Sequence, residues 1–517
     1  MSQTDRSQTS LASPAGAAQP PAADRSQAPA VEQPRAWAYP QSAQLDLAGA
    51  DGVRVFDLPG QKVVSVEVAV PMPWAAEPRE IEGVGVIVAA TLEEGTGSKD
   101  ADQVARAFER LGVDFSVISS EFGLLVGLEA TPDRLAQGLR LLAEVLAEPA
   151  FPEAAVAREV RGRLFDIAQE LNSPASRAAR EFATLLHGAD AREGRPGAGS
   201  AETVQAVTVD AVRAHHRAWV RPARAQVVVA GDLAGQGSQE VAAMVQRELV
   251  NPWSEQVAQW PEEAAEAAAD PAEVPGREPG AAGAAPAGDD AVGRDGAGRG
   301  DGAPIETAGE EAQPPLEVLT VDRPGAAQTE VRLGWLGPTR HAEGGFAPYA
   351  PLAVHVGASP ASLLDAVLRE EKGWTYGMRA GFRPRSRVGE FTVSGSFTTE
   401  STAEAVGEMV RLLRSVDDGI EEKAATEARD YALLMAPMRY ATAQVVAHEA
   451  AVLALDGLTP EYTTRTLAEL AELDAAAMVD AWRRWSGGRW VMVLVGDASV
   501  WAEGLAGLSD HQTLVEA

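Results

Sequence analysis

The metal-binding chemistry open to this chain is limited by its few ligand residues. The 517 residues include seven histidines and no cysteine, which excludes disulfides, thiolate metal sites and cysteine nucleophiles. No histidine begins a His-x-x-Glu-His pattern, the spacing that places two imidazoles on one helix face to bind Zn²⁺. The adjacent His215 and His216 point to different faces of a predicted helix, so we interpret them as surface or packing residues. The sequence therefore predicts no metal site.

A second group of reactive side chains lies in residues 369–376, which read REEKGWTY. Arg369 is predicted near the end of a helix, Gly373 ends that helix, and Tyr376 starts the next strand. A guanidinium and a phenol can hold a carbonyl oxygen and stabilise negative charge that develops on it. Spacing alone also allows a second interpretation, in which Arg369 pairs with a nearby carboxylate and Tyr376 packs at a strand edge.

The elements that must position these residues occur twice in the chain. Residues 200–234 and 458–499 each contain two short predicted helices, then an apolar strand, then a Gly-Asp pair. The two apolar strands are predicted at 225–230 and 490–495. Because this order recurs at a matched distance from the ends of two blocks, it indicates a duplication.

The earlier parts of the two blocks also correspond. Each has an apolar strand, an Ala- and Gly-rich helical segment, an amphipathic helix, alternating strands and a long helix with leucines on one face. This order predicts an α+β fold of two duplicated domains, each with a mixed or antiparallel sheet covered by helices on one face. The first strands are predicted at 63–70 and 329–336, the alternating strands at 115–128 and 376–397, and the long helices at 135–146 and 403–416.

Composition divides the chain into four segments. Residues 1–36 are rich in Ala, Pro, Gln and Ser and are predicted to be a disordered tail. Residues 256–315 are acidic and rich in Ala, Gly and Pro, and are predicted to be a long disordered linker. The two globular domains are then 37–255 and 316–517.

Charge and hydropathy restrict the partners and the location. The formal net charge of -31 argues against a nucleic acid or an anionic membrane as a partner, since both require clustered Lys and Arg. No stretch approaches the roughly 18 consecutive apolar residues that a membrane span needs. The first residues contain no apolar signal segment, so we expect a cytoplasmic protein.

This duplicated architecture resembles the insulinase/pitrilysin family of zinc peptidases, in its processing-peptidase-like branch. Active members of that family carry His-x-x-Glu-His just before a Gly-Thr pair, where the histidines bind Zn²⁺ and the Glu acts as general base. A Glu on a later helix supplies the third protein ligand. In the first block the resemblance is carried by Gly83, Gly95-Thr96, the helix at 102–111 with Gly112 after it, residues 167–174 (IAQELNSP), Gly199, Thr203, Val207, Thr208, Asp210 and the terminal VVVAGD.

Alignment backwards from Gly95-Thr96 places aliphatic residues where the family has its metal site. Val86 and Ala90 fall at the two histidines, and Ala89 falls at the catalytic Glu. The later ligand position falls on Asp166, which we interpret as a structural or solvated carboxylate. An aliphatic side chain offers no lone pair to a metal and no base to water. The resemblance therefore implies a member without the zinc motif, with no catalytic residue and no bound cofactor of its own.

The resemblance also implies a role for Arg369 and Tyr376. In this family an Arg and a Tyr of the second domain approach the zinc face of the first across a closed chamber, and the chain that lacks zinc can carry them. The implied protein is a non-catalytic subunit of a heterodimeric peptidase, inactive alone, with Arg369 and Tyr376 as substrate-binding residues. Its implied partners are a zinc-bearing paralogous subunit, with Zn²⁺ in that partner, and unfolded or short peptides bound as an added strand.

Two alternatives stay open. The first is a structural or binding protein of the same fold with no role in proteolysis. The second is an active metallopeptidase with an atypical metal site.

Overall fold

The computed structural model describes residues 37–260, 315–509 and 511–516. The predicted tail at 1–36 lies outside these residues, as does the predicted linker apart from residues 256–260 and 315. The described residues form two six-stranded mixed sheets with helices packed against them. The predicted α+β fold with two duplicated domains is therefore confirmed.

The first half of the chain builds one of the sheets. Its strands are β1 (Ala43–Leu45), β2 (Val53–Asp57), β3 (Val64–Val70), β4 (Asp114–Ser119), β5 (Leu124–Ala130) and β6 (Gln226–Gly231). Their order is β1-β2-β6-β3-β5-β4, with β2 and β6 parallel and the other neighbours antiparallel. Every residue of β3 is buried, as expected of an apolar strand that is covered on both faces.

The second half builds a sheet of matching order. Its strands are β7 (Leu316–Asp322), β8 (Gln328–Gly337), β9 (Arg379–Arg383), β10 (Gly389–Thr398), β11 (Trp490–Gly496) and β12 (His511–Glu516). The order is β12-β7-β11-β8-β10-β9, and β7 is parallel to both β11 and β12. Strands β7, β11, β8, β10 and β9 occupy the places of β2, β6, β3, β5 and β4, so the duplication extends to the strand order.

Helices cover one face of each sheet with their apolar sides. The helices of the first half are α1 (Val84–Thr91), α2 (Ala101–Leu111), α3 (Leu135–Ala147), α4 (Glu153–Asn172), α5 (Pro174–His187), α6 (Ala201–Gln205), α7 (Val209–Trp219), α8 (Ser238–Val245) and α9 (Asn251–Val257). Those of the second half are α10 (Tyr349–Ala353), α11 (Thr402–Asp418), α12 (Glu422–Arg439), α13 (Ala443–Leu455), α14 (Glu461–Ala471), α15 (Ala475–Ser486) and α16 (Ala498–Trp501). Wider π-helical turns form Gln246–Val250, Val354–Ala358 and Asp365–Glu371. Within the described ranges, none of the helices has the length and apolar character needed to cross a membrane.

The first half continues slightly beyond the predicted boundary at residue 255. Helix α9 ends at Val257, and the Trp260 ring lies 5.4 Å from the ring of His216. The fully buried Trp253 anchors this helix to the first core.

Each sheet is also covered on its second face, by a helix from the other half. Helix α5 packs on β8 and β11 of the second sheet, where Phe182 joins Val491 and Val493 in one buried cluster. Helix α13 packs on β3 and β6 of the first sheet and forms a second such cluster. Two buried apolar layers therefore join the halves.

Local sequence explains where these crossing helices begin. Ser173 has an extended backbone, and its side chain accepts a hydrogen bond from the Ser176 N–H, while Pro174 occupies the first helical position. This break separates α5 from α4 and allows the chain to cross to the other half. Thr442 caps α13 in the same way, because its hydroxyl accepts from the Val445 N–H.

The packing of α5 on the second sheet predicts different stability effects for two phenylalanines, one on α5 and one on α4. Phe182 on α5 is 1% exposed, whereas Phe165 on α4 is 64% exposed. We expect Phe182→Ala to lower the unfolding free energy by about 3–5 kcal/mol because it leaves a cavity in the layer between the halves. Phe165→Ala should change it by less than about 0.5 kcal/mol. Urea titration of both variants checks this, and equal losses would contradict the proposed packing layer.

Charged residues form a second connection between the halves. Arg385, in the loop between β9 and β10, donates from Nε to Glu121 of the first half at 2.9 Å and from Nη1 to Glu390 at 3.4 Å. His187 at the end of α5 places Nε2 3.2 Å from Glu390 Oε2. Burial by itself raises the pKa of Glu390, but the hydrogen bond from His187 and the charge of Arg385 outweigh it and hold this pKa at about 2. The network therefore favours the ionised form of Glu390.

Glu390 is expected to make the fold sensitive to acid. The pKa of Glu390 in the folded chain lies below the ordinary value of 4.5. The ionised carboxylate therefore adds to the free energy of unfolding above pH about 4.5, and this contribution is lost as the pH falls towards about 2. This contribution is on the order of 3 kcal/mol. Glu390→Gln should therefore have a lower unfolding free energy than wild type near neutral pH. On acidification its unfolding free energy should fall by less than that of wild type, as measured by denaturant unfolding at several pH values.

Glu427→Gln is the matched control, because it removes an exposed carboxylate that pairs with Lys423 at 3.8 Å and contributes little to stability. If Glu390→Gln shows the same pH dependence as this control, the buried network does not contribute as described.

Candidate functional site

Helix α1 carries the positions at which the resemblance places zinc ligands. It packs against α4, the helix that carries Asp166. Val86 and Ala89 are half-buried, whereas Ala90 and Asp166 are exposed. Among the described residues, no group of three or more His, Asp or Glu side chains is arranged so that it could hold a metal ion. The aligned positions therefore offer three aliphatic side chains and one carboxylate.

The start of α1 is fixed by a buried carboxylate. Glu77 accepts hydrogen bonds from the backbone N–H groups of Gly83 and Gly85, both at 2.9 Å, and Arg192 donates to it at 3.2 Å. Burial raises the pKa of Glu77, and these three donors oppose that rise. Gly83 has a φ of +97°, and a Cβ atom there would lie 2.7 Å from the Ala198 carbonyl oxygen. These contacts hold α1 in place without any metal ligand.

The adjacent histidines are packing residues. His215 and His216 are 7% and 2% exposed, and His216 Nε2 lies 3.0 Å from the Leu146 carbonyl oxygen. Burial lowers the pKa of His215 to about 4 and that of His216 to about 3. Both imidazoles are therefore neutral near pH about 7, and they belong to the helix layer of the first half.

Arg369 and Tyr376 lie on a helix–turn segment of the second half. The helical turns Asp365–Glu371 are followed by Gly373, whose φ of +66° is the left-handed conformation typical of a helix end. The Trp374 carbonyl accepts from the Thr398 N–H at 3.1 Å, which ties the turn to β10. Tyr376 was predicted to start a strand, but β9 begins three residues later, at Arg379. Tyr376 therefore lies in the turn itself.

A buried aspartate, which the sequence analysis did not identify, holds this segment together. Asp365 is 1% exposed, and its Oδ1 accepts from the Met378 N–H at 2.7 Å. Its Oδ2 lies 3.8 Å from Nη1 of Arg369. One carboxylate thus fixes the turn that carries Tyr376 and faces the guanidinium of Arg369. The spacing of four residues between Asp365 and Arg369 could have indicated the ion pair, but not the contact with Met378.

The two candidate side chains differ in their surroundings. Arg369 has a 42% exposed side chain, which also approaches Glu370 with 3.4 Å between Nε and Oε1, so the carboxylate pairing left open by the sequence is present. Tyr376 does not pack at a strand edge: its side chain is 90% exposed. Trp374 packs against the second core.

Tyr376 lines a cleft at the junction of the two halves. This cleft has a volume of about 390 Å³. Its walls come from the first turns of α5 and from the outer face of β8, β9 and β10. The lining residues are Ala175, Ala178, Glu330, Val331, Arg332, Tyr376, Gly377, Arg379, Ser394 and Gly395.

Two helices present large apolar side chains to solvent. On α12, the exposed residues recur at spacings of three and four, which places them on one helix face. The exposed fraction of these side chains ranges from 39% to 70% on α12, and from 42% to 64% on α4. Such surfaces mark interaction sites when they are contiguous. The residues are Tyr431, Leu434, Met435 and Met438 on α12, and Phe165 and Leu171 on α4.

The duplicated fold and the aliphatic metal positions define a protein with the architecture of a two-domain zinc peptidase but without its metal ligands. Residues 55–189 match the family model described as Insulinase (Peptidase family M16), and residues 206–431 match the model described as Peptidase M16 inactive domain. Together these matches cover more than half of the 517 residues. The chain belongs to the insulinase family, as a member that lacks the His-x-x-Glu-His motif.

Solved structures with the same fold include three bacterial proteins. A peptidase M16 inactive domain from Pseudomonas fluorescens is similar with a TM-score of 0.70 and 19% identity, over 88% of this chain and 98% of that one. A protease from Helicobacter pylori has a TM-score of 0.68 and 15% identity, over 88% and 99%. The periplasmic protease PqqL from Escherichia coli has a TM-score of 0.65 and 12% identity, over 89% of this chain and 47% of that one. No curated protein sequence gives a significant match.

The role of Asp365 predicts a local change in backbone protection. Asp365→Ala removes the acceptor of the buried Met378 N–H, and loss of a hydrogen bond to a charged group costs about 1.5–3 kcal/mol. We expect amide hydrogen exchange in residues 374–380 to become at least about tenfold faster. Glu370→Ala is the control, because it removes only an exposed carboxylate. Unchanged exchange in Asp365→Ala would contradict the positioning role.

Proposed function

We propose that this chain is the non-catalytic subunit of a heterodimeric zinc peptidase. It pairs with a zinc-bearing paralogous chain, forms one wall of the chamber around that metal, and binds unfolded or short peptides. Arg369 and Tyr376 act in this proposal as substrate-binding residues that hold the carbonyl group attacked at the metal of the partner.

The observation that carries this proposal is the placement of Tyr376. Its turn is held by a hydrogen bond from the Met378 N–H to Asp365 and by one from the Thr398 N–H of β10 to the Trp374 carbonyl, yet Tyr376 is 90% exposed. An ordered turn with an exposed phenol gains little from packing within its own chain, whereas a preorganised donor is what oxyanion stabilisation requires. We therefore assign the phenol to a ligand outside this chain.

Arg369 supports the same assignment through its charge. Its guanidinium is permanently charged and faces Asp365 at 3.8 Å, while 42% of the side chain is exposed. Its partner Asp365 is buried, with a 1% exposed side chain, and the solvent-exposed part of the guanidinium can still donate to a carbonyl oxygen. Asp365 thereby orients both candidate residues.

The exposed apolar faces support assembly with a second chain. Helices α4 and α12 occupy corresponding places in the two halves, since each precedes a crossing helix. Both present large apolar side chains, among them Phe165 and Met438. Burial of such surface against a partner is favourable by roughly 25 cal/mol per Å² before the costs of association.

The test is reconstitution with the zinc-bearing paralogous chain. We expect the mixture to cleave short unfolded peptides and this chain alone to be inactive. In the mixture, Arg369→Ala and Tyr376→Phe should each lower kcat by about 100- to 1,000-fold, the loss typical of removing one oxyanion donor.

Arg411→Ala is the control for these variants, because it removes an exposed arginine of the same half that pairs with Glu408. Activity equal to wild type in both site variants would reject the donation of Arg369 and Tyr376 and favour the structural or binding protein of the same fold. A tightly held zinc ion in the purified chain alone would favour the active metallopeptidase.

A further inference from the structure

The cleft beside Tyr376 contains a row of polar side chains built by strand pairing. In the antiparallel register, Arg332 of β8 lies opposite Ser394 of β10, and Ser394 lies opposite Arg379 of β9. Directly opposed residues place their Cβ atoms about 4.5–5.5 Å apart on the same face of a sheet. Two guanidinium groups therefore flank one hydroxyl, and all three side chains line the cleft.

The charge of Arg332 is only partly compensated inside the protein, by the charge of Glu390. Its guanidinium lies over the ring of Phe182 at 5.3 Å, and its Nε is buried with no hydrogen-bond partner among the described residues. Burial lowers the pKa of Arg332, which reflects the cost of keeping a charge away from water. A buried donor without a partner usually has a ligand or solvent to satisfy it.

Arg379 adds a second positive charge at the open side of the cleft. Its side chain is exposed, and its Nη1 donates to the neighbouring Met378 carbonyl at 3.0 Å, a backbone contact that does not neutralise its charge. The acidic residue of the cleft is Glu330, and burial raises its pKa. This shift makes the neutral form of Glu330 less costly than that of an ordinary glutamate.

We infer that this cleft is a subsite for a peptide carboxylate, held by Arg332 and Arg379 with the Ser394 hydroxyl between them. Guanidinium groups bind carboxylates through short charge-assisted hydrogen bonds. The small side chains of Ala175 and Ala178 form the opposite wall and leave room for a peptide end or an acidic side chain. This inference rests on the proposed function, because Tyr376 lines the same cleft and would bind the neighbouring part of the same peptide.

A binding experiment on the full chain, without any partner, tests the subsite. The probe is a fluorescein-labelled pentapeptide of Ala and Leu with a free C-terminal carboxylate, and its matched form ends in an amide. A second pair ends in an amide and carries Asp or Asn at its centre. We expect a carboxylate-bearing peptide to bind at least about tenfold more tightly than its neutral match, as measured by fluorescence anisotropy.

The two pairs distinguish the sources of the carboxylate. A preference in the first pair assigns the subsite to a peptide C-terminus, and a preference in the second pair assigns it to an acidic side chain. Arg332→Gln and Arg379→Gln should each remove most of the preference. Arg411→Gln, which makes the same charge change on α11 away from the cleft, should retain it.

Arg332→Gln could disturb the contact with Phe182 and so alter the fold. Arg379 is exposed, so Arg379→Gln tests the subsite without that effect. Equal binding of acid and neutral peptides, a preference that persists in Arg379→Gln, or no binding of any peptide would each overturn the inference. Equal binding that depends on neither arginine would leave the proposed peptidase role intact, because that role is measured by reconstituted cleavage.

Discussion

The structure depends on the need to cover both faces of two apolar sheets. Central strands such as β3 and β11 are buried along their whole length, so helices on one face alone would leave an apolar surface in water. Each half meets this need with a helix from the other, α5 on the second sheet and α13 on the first. The halves are therefore one packed unit, and their separation would expose both layers.

The same constraint creates the cleft at the candidate site. Helix α5 covers the part of the second sheet where β11 presents Val491 and Val493. Next to the first turns of α5, the outer face of β8, β9 and β10 is polar and carries Arg332, Ser394 and Arg379. The cleft forms where the apolar cover ends. Asp365 then holds the turn with Tyr376 at its rim, so the fold places a phenol and two guanidinium groups around one space.

The proposed function divides peptidase chemistry between two chains. In this proposal, Val86, Ala89 and Ala90 stand where the partner has its metal ligands and base, and the exposed Arg369 and Tyr376 bind the substrate carbonyl. Metal ligands must converge within one coordination sphere, but a donor to a carbonyl oxygen needs only the correct position relative to the substrate. A second chain can therefore supply such donors, which is the physical basis of the proposed heterodimer.

The sequence by itself determined the duplicated α+β fold and the loss of the zinc motif. Apolar periodicity is local, and the identity of Val86 or Ala90 decides its chemistry wherever it lies. Only the tertiary structure decided that α5 and α13 cross between halves, that Asp365 binds the Met378 N–H, and that Tyr376 lies in a turn rather than a strand. The row of Arg332, Ser394 and Arg379 also appeared only there. These features depend on strand register and on contacts between segments that are distant in the sequence. Local patterns do not specify them, because the apolar periodicity of a helix shows which of its faces is buried but not which surface covers that face.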